Sequence, residues 1–384
     1  MSSNVTRLLK NAIKDCIRPI LIPIVYLARK KKKTIILLMD RRNEAGDNAE
    51  AMYHYLRPKE DCETYFILSH NSKDWNRLQP DDHVIDIHSV KYVWIYMRAD
   101  LIMFSHEINH PRGMHVVADK IGFKKVFLQH GVIHEDLSRI YNASQGHDLV
   151  CVATKDEYLD RQRPAYGYRP EQICLTGLPR FDYLEKRTEK IITIALTWRK
   201  YLKPVSISEF QASAYFLMIK QLIFMPELSN LAEKYGYSIQ FVPHPKIDRD
   251  IIHLLEENQD QRLVINTHQT YSEIISETAL MITDYSSIAF DAAYLKIPIL
   301  YFQTDKEEFY SGKHSYTIGY FDFERDGFGE VFFDVSKLIS VVENYLQQGC
   351  KMKPIYVNRV LNTFNYIDNK NCERVYEALM QIRT

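Results

Sequence analysis

The feature that most constrains this chain is a recurring phrase: a short apolar, β-branched run, then a polar cluster, then a helical stretch. It is plainest at Met281-Ile282-Thr283-Asp284-Tyr285-Ser286-Ser287-Ile288-Ala289-Phe290-Asp291, which reads as a buried strand, a polar turn and a helix running from Ile288 to Leu295. Strands that alternate with helices in this way are βαβ units, which pair in parallel and carry helices on their faces. At such a turn the first N–H groups of the helix are unpaired and the dipole favours an anion. Thr283, Asp284, Ser286 and Ser287 therefore suit a phosphate. The same residues also suit an ordinary N-cap, with Asp284 or Ser286 closing the helix.

Three further segments repeat the phrase. Lys125-Val126-Phe127-Leu128 leads into Gln129-His130-Gly131, Ile191 to Leu196 into Thr197-Trp198-Arg199, and Ser238 to Val242 into Pro243-His244-Pro245-Lys246. In open α/β sheets ligands bind outside the carboxyl ends of the strands, so the four tips are placed to converge on one crevice. Each tip alone also has an ordinary reading, since a His beside Gly or Pro is commonly a solvated turn residue and a lone Arg after a strand a surface charge.

Taken together and in this order, the segments resemble the CDP-glycerol glycerophosphotransferase family: the teichoic-acid primases and polymerases and their capsule-synthesis relatives. The resemblance spans roughly residues 34 to 345 and is most specific at Thr283 to Ser287, with Gly177-Leu178-Pro179-Arg180-Phe181-Asp182, Thr197-Trp198-Arg199 and Pro243-His244-Pro245 as further landmarks. His130-Gly131 looks like the family's catalytic His-Gly. Two departures stand out. Members usually continue after His-Gly with Thr-Pro and a basic residue, where this chain has Val132-Ile133-His134-Glu135-Asp136. The family's Pro-Gly-Pro near the end of the donor domain appears only as Gly327-Phe328-Gly329.

The resemblance implies a GT-B-like α/β fold, two Rossmann-like domains facing a central cleft. Strand candidates at Thr34 to Met39, Thr64 to Leu68, Val84 to Ile87, Leu101 to Phe104, Val126 to Leu128 and Leu149 to Val152 place an acceptor-side domain over 34–176. An interdomain crossing follows over 177–190. A second series from Ile191, including Ile239 to Val242, Leu263 to Ile265, Ala279 to Ile282 and Ile299 to Phe302, gives a donor-nucleotide domain over 191–345. A C-terminal helical region occupies 346–384. A chain of 384 residues exceeds one ordinary core and suits two.

The implied chemistry is displacement at phosphorus: an acceptor hydroxyl attacks the alditol phosphate of CDP-glycerol or CDP-ribitol and CMP leaves. An alcohol needs a base near neutral pH, and His suits that role. By family position His130 is the base, with His244 a second catalytic residue and Gly131 on the acceptor side. Thr197, Arg199, Thr283, Asp284, Ser286 and Ser287 form the donor site, where Arg and oriented donors meet the pyrophosphate charge. Asp284 suits orienting the turn more than touching phosphate. The CDP-alditol is the donor substrate and no cofactor is implied. Asp248/Asp250 and Asp305/Glu308 are carboxylates near strand tips that read as surface charges or donor-hydroxyl contacts; no acidic pair or DxD triplet in a recognisable donor loop and no Cys/His spacing points to a metal, so the mechanism reads as metal-independent. The acceptor is a lipid-linked or polymeric glycan. Alternatives on the same fold are a sugar glycosyltransferase, a nucleotide-sugar epimerase, or a non-catalytic membrane-bound scaffold.

Charge is distributed unevenly. Residues 1–33 hold nine Lys/Arg against one acid, for +8, which leaves −8 on the remainder. Apolar pairs recur every four residues from Leu8-Leu9 to Ile24-Val25, one face of an amphipathic helix, and Arg29-Lys30-Lys31-Lys32-Lys33 follows. The apolar stretch Pro19 to Ala28 is too short to span a bilayer, and no small-residue cleavage site follows. The segment reads as peripheral attachment to an anionic membrane at the cytoplasmic face, with a helix packed on the protein's own body as the alternative. Nucleic acid is not an expected partner, because the body is acidic and carries no RNA- or DNA-binding signature. The six cysteines are scattered without a CxxC pair, which suits a reducing compartment.

Overall fold

The computed structural model describes residues 33–382 apart from 79–80, 117, 188, 203–205, 225, 245–246, 248, 259, 261 and 313–316. The amphipathic helix read over residues 1–33 thus lies, Lys33 excepted, outside the described residues.

Two parallel sheets organise the chain. The first contains β1 (Thr34–Met39), β2 (Cys62–Leu68), β3 (Val84–Asp86), β4 (Leu101–Phe104), β5 (Lys124–Phe127), β6 (Leu149–Val152) and β7 (Ile173–Leu175), in the order β3-β2-β1-β4-β5-β6-β7. The second contains β8 (Ile191–Ala195), β9 (Ser238–Val242), β10 (Leu263–Ile265), β11 (Thr278–Thr283), β12 (Ile299–Phe302) and β13 (Gly329–Phe332), in the order β10-β9-β8-β11-β12-β13. Strands buried on both faces are continuous apolar runs, as in β4, β6 and β12, each buried at all of its residues. The fold is the GT-B-like α/β arrangement expected from the sequence, with two Rossmann-like sheets.

Strand order reverses between β1 and β4 in the first sheet and between β8 and β11 in the second, and these are the points where such sheets open a crevice. Asp40, Ser105 and Asp284 follow β1, β4 and β11 directly, and Thr197 follows β8 after Leu196. The faces of the two sheets bury separate cores, but one cluster joins Val132, Ala153, Leu178 and Phe181 to Tyr285, Phe290, Tyr294 and Phe328. That shared apolar packing locks the first sheet's tips onto the second sheet.

The chain then returns. Val360 and Phe364 pack in the shared cluster, while Cys372, Val375 and Leu379 of the helix Asn371–Ile382 bury against Ile36, Leu38 and Leu101 of the first sheet. Asp182, one of the family landmarks, caps that returning helix by accepting from the backbone N–H of Asn371 at 2.9 Å and of Cys372 at 2.7 Å.

β7 and β13 were not among the strands read from sequence. β13 opens at Gly329, where a Cβ would stand 1.6 Å from the Ile299 carbonyl oxygen, so only glycine allows the pairing with β12.

Candidate functional site

A cavity of about 560 Å³ lies between the carboxyl edges of the two sheets. The wall on the side of the first sheet includes Asp40, Arg41, Asp47, His106, His130, Gly131 and Glu135, and the wall on the side of the second sheet Thr197, His244, Tyr271, Ser286, Ser287 and Asp291, with Arg180, from the segment between the two sheets, also lining it.

His130 reaches the cavity because the backbone turns sharply after β5. Gln129 adopts φ 62°, a left-handed conformation that non-glycine residues rarely hold without support. The support is specific. Asn48 Nδ2 donates to the Gln129 carbonyl at 2.8 Å, Gln129 Nε2 donates to the Cys151 carbonyl at 2.7 Å and to Glu157 Oε1 at 3.1 Å, and Arg161 Nη2 donates to Gln129 Oε1 at 3.3 Å. Glu157 also accepts from the backbone N–H of Ile133 at 2.9 Å, so the loop is pinned on both sides of His130.

Burial and the neighbouring His106 push the His130 imidazole down from 6.5 to about 3, with Asp47 opposing. The ring is therefore neutral at physiological pH and keeps a lone pair. Its Nδ1 is sealed from solvent and has no hydrogen-bond partner among the described residues. Gly131, next in the chain, faces Ser287 across the cleft: a Cβ on Gly131 would stand 2.9 Å from Ser287 Oγ.

The turn after β1 offers little to an anion, because side-chain carboxyl groups already occupy it. Asp40 accepts from the backbone N–H groups of Asp47 and Ala49 at 3.0 Å and of Glu50 at 3.3 Å, and Asp47 accepts from that of Asn48 at 2.8 Å. The second-domain turn differs. Ser287 makes no capping side-chain bond among the described residues, and Ser286 Oγ accepts only weakly, from Ile288 N at 3.4 Å. Both hydroxyls lie on the cavity wall.

Of the residues singled out from sequence, the structure brings His130, Gly131, Thr197, His244, Ser286 and Ser287 to the cavity. Three others stand behind it. Thr283 is buried and donates to the Ala195 carbonyl at 2.6 Å. Asp284, also buried, accepts from the backbone N–H and the hydroxyl of Thr197 at 2.9 and 2.8 Å and from Tyr285 N at 2.6 Å, and so orients the turn.

Arg199 requires a correction. Its side chain is 0 % exposed, paired with Asp284 at 2.9 Å and with Asp305 at 2.7 Å, donating to the Thr197 carbonyl at 2.6 Å, and enclosed by Tyr215, Tyr285 and Phe309. In place of the phosphate contact read from sequence, its guanidinium is spent on holding the two strand tips together.

Sequence reasoning passed over His106, Asp47 and Arg180. The rings of His106 and His130 stack with centroids 4.5 Å apart and planes 22° apart, and His106 Nε2 lies 3.2 Å from Asp47 Oδ2. Arg180 donates through Nη1 to Asp47 Oδ1 at 2.6 Å and to the His130 carbonyl at 2.7 Å, and grips Asp291 of the second domain through Nε at 2.7 Å and Nη2 at 2.9 Å. Burial alone would raise the Asp47 carboxyl, but Arg180 and His106 outweigh it and hold that carboxyl below its ordinary range. His106 could have been found by extending the strand-tip reading to Leu101 to Phe104, which runs directly into Ser105-His106.

The family described as CDP-Glycerol:Poly(glycerophosphate) glycerophosphotransferase matches residues 20–381. Among curated relatives, the chain is 31% identical to the minor teichoic acid biosynthesis protein GgaB of Bacillus subtilis over 97% of its own length and 42% of that protein's. It is 24% identical to a teichoic acid poly(glycerol phosphate) polymerase of Bacillus spizizenii, over 84% of this chain and 87% of the relative. The chain thus spans less than half the length of GgaB, and likewise of the Staphylococcus aureus ribitol-phosphate polymerase TarK, of which it covers 42% at 23% identity. Among solved structures, the wall teichoic acid polymerase TagF superposes over 100% of both chains with a TM-score of 0.66 at 18% identity. The S. aureus MnaA–UDP structure gives 0.58 at 11% identity over 92% of this chain and 97% of that one. These likenesses show the fold.

Proposed function

Because the chain belongs to the CDP-glycerol:poly(glycerophosphate) glycerophosphotransferase family, we propose that it moves an alditol phosphate from CDP-glycerol or CDP-ribitol to a hydroxyl of a lipid-linked or polymeric glycan, releasing CMP. The observation that carries this reading is the pairing across the cleft: the His130 imidazole on one wall and the hydroxyls of Ser286 and Ser287 on the other, with Gly131 directly facing Ser287.

The reaction follows from that pairing. The acceptor hydroxyl gives its proton to His130, and its oxygen forms a bond to the alditol-phosphate phosphorus. The bond from that phosphorus to the bridging oxygen breaks, and CMP takes the electron pair. Developing charge on the leaving phosphate is met by Ser286, Ser287 and His244, which stabilise it more in the transition state than in the ground state. Thr197, held by Asp284, completes the wall. Arg199 acts from behind by keeping Thr197 and Asp284 in place. The scheme is proposed without a metal or a further cofactor, as read from sequence.

Attachment to an anionic membrane by residues 1–33 is part of the proposal and rests on their +8 charge and apolar recurrence. Among the described residues no helix is long and apolar enough to cross a membrane.

The test is donor turnover. Incubation with CDP-glycerol, CDP-ribitol and a panel of UDP-sugars, in the presence of a glycan acceptor, should release CMP and no UDP. Release of UDP with transfer of a sugar would replace this reading with a glycosyltransferase.

A further inference from the structure

Histidines that act as bases are commonly oriented by a hydrogen bond from the second ring nitrogen to a carboxylate or carbonyl, which fixes both tautomer and ring plane. His130 lacks that device among the described residues, since Nδ1 is buried and unpartnered. Something else must hold the ring. The surface against its face is His106, stacked at 4.5 Å and 22°. His106 is in turn held by Asp47 at 3.2 Å, Asp47 by Arg180 at 2.6 Å, and Arg180 closes the circuit by donating to the His130 carbonyl at 2.7 Å. Ring and backbone of His130 are thus gripped from both ends of one continuous network.

We propose that His106, anchored by Asp47, is a positioning residue for the transfer reaction: its ring sets the plane of the His130 imidazole so that the nitrogen opposite the sealed Nδ1 faces the bound acceptor hydroxyl. The inference rests on the reading of His130 as the base. His106 touches the base and needs no contact with the donor. A base misdirected by a fraction of its reach loses rate steeply, whereas donor binding, made on the opposite wall, is left alone.

The network also predicts a pH signature. The charged and titratable groups acting on His130 are His106 from the β4 tip, Asp47 from the cap of the helix Asn48–Leu56, Arg41 from the β1 tip and Arg180 from the crossing. His106, Arg41 and Arg180 disfavour protonation of His130 and Asp47 favours it. His106→Phe preserves a flat ring against His130 and removes the imidazole. Removing that influence lets His130 protonate more easily, so the acid limb of kcat moves to higher pH.

The experiment measures CMP release from CDP-glycerol against pH for the parent, His130→Ala, His106→Ala and His106→Phe. His130→Ala should abolish turnover. His106→Ala should lower kcat by roughly 10- to 100-fold, a fraction of what a general base contributes, with donor KM within about twofold. His106→Phe should keep more of kcat than His106→Ala and show the shifted acid limb. Where His106→Ala does not fold, His106→Leu takes its place, and parental kcat in that variant overturns the inference. An inactive His130→Ala beside a His106→Ala of parental kcat overturns the positioning role and leaves the base standing. A fully active His130→Ala removes the base, and the positioning role with it.

Discussion

Arg199→Ala separates two meanings of one residue, and its effect follows from burial. A phosphate-binding arginine faces the cavity, and its loss weakens nucleotide binding while the fold persists. Arg199 instead has a side chain 0 % exposed, between Asp284 and Asp305, which are themselves 0 % and 4 % exposed. Removing the guanidinium leaves two buried carboxylates without their cation and the Thr197 carbonyl without its donor. Breaking a buried pair by deleting one partner costs about 3–5 kcal/mol, because the remaining charge stays desolvated. At a few degrees per kcal/mol this corresponds to a fall in Tm on the order of 10 °C. Adding Asp305→Asn to Arg199→Ala should recover part of the loss, since the two residues share one interaction and their effects are coupled by roughly 0.5–3 kcal/mol. The assay is thermal unfolding by circular dichroism beside calorimetric titration with CMP. A variant that melts within about 2 °C of the parent and binds CMP tenfold or more weakly would refute the argument, because it would mean that Arg199 reaches the ligand and not the two aspartates.

Three further outcomes are expected. Ser286→Ala and His244→Ala should each weaken CMP binding by roughly 10- to 100-fold, the worth of a hydrogen bond to a charged group, and parental affinity in both would place the pyrophosphate elsewhere. His130 is depressed from 6.5 to about 3, so between those values the unfolded chain binds a proton that the folded chain does not. Stability contributed by the neutral ring is therefore full above about pH 6.5 and falls as pH drops towards 3, and the parent should lose more stability across that window than His130→Gln; equal slopes in denaturant titrations would contradict the buried neutral ring. Deleting residues 1–33 should release the protein from anionic vesicles in co-sedimentation while transfer to a short soluble acceptor persists, and a truncated chain that still sediments would put attachment on another surface.

How much of this was legible in the sequence depended on whether the signal was local. β1, β4, β6 and β12 have the residue bounds read from the sequence, because a strand buried on both faces is a continuous apolar run with abrupt ends; β10 has them too, although Val264 on it is exposed. β7 is three residues long, too short for any periodicity, and β13 begins with the glycine that its neighbour's carbonyl demands. The strand-tip rule found His130, His244, Ser286 and Ser287 at the cavity because a parallel sheet delivers its tips to one edge whatever the side chains do.

It failed where the direction of a side chain mattered. At the β8 tip Thr197 and Arg199 look equivalent in sequence, yet one lines the cavity and the other turns back to an aspartate 106 residues away. Arg180 was visible as part of a landmark and of a crossing but without a role, because its partners Asp47 and Asp291 lie 133 and 111 residues distant in the chain. A carboxylate at a helix cap, a histidine after a short strand and an arginine in a linker are each unremarkable alone. Their chemistry comes from closing one circuit around His130, and since that circuit draws on both sheets, the base and the donor wall are oriented by the same packing that brings the sheets together.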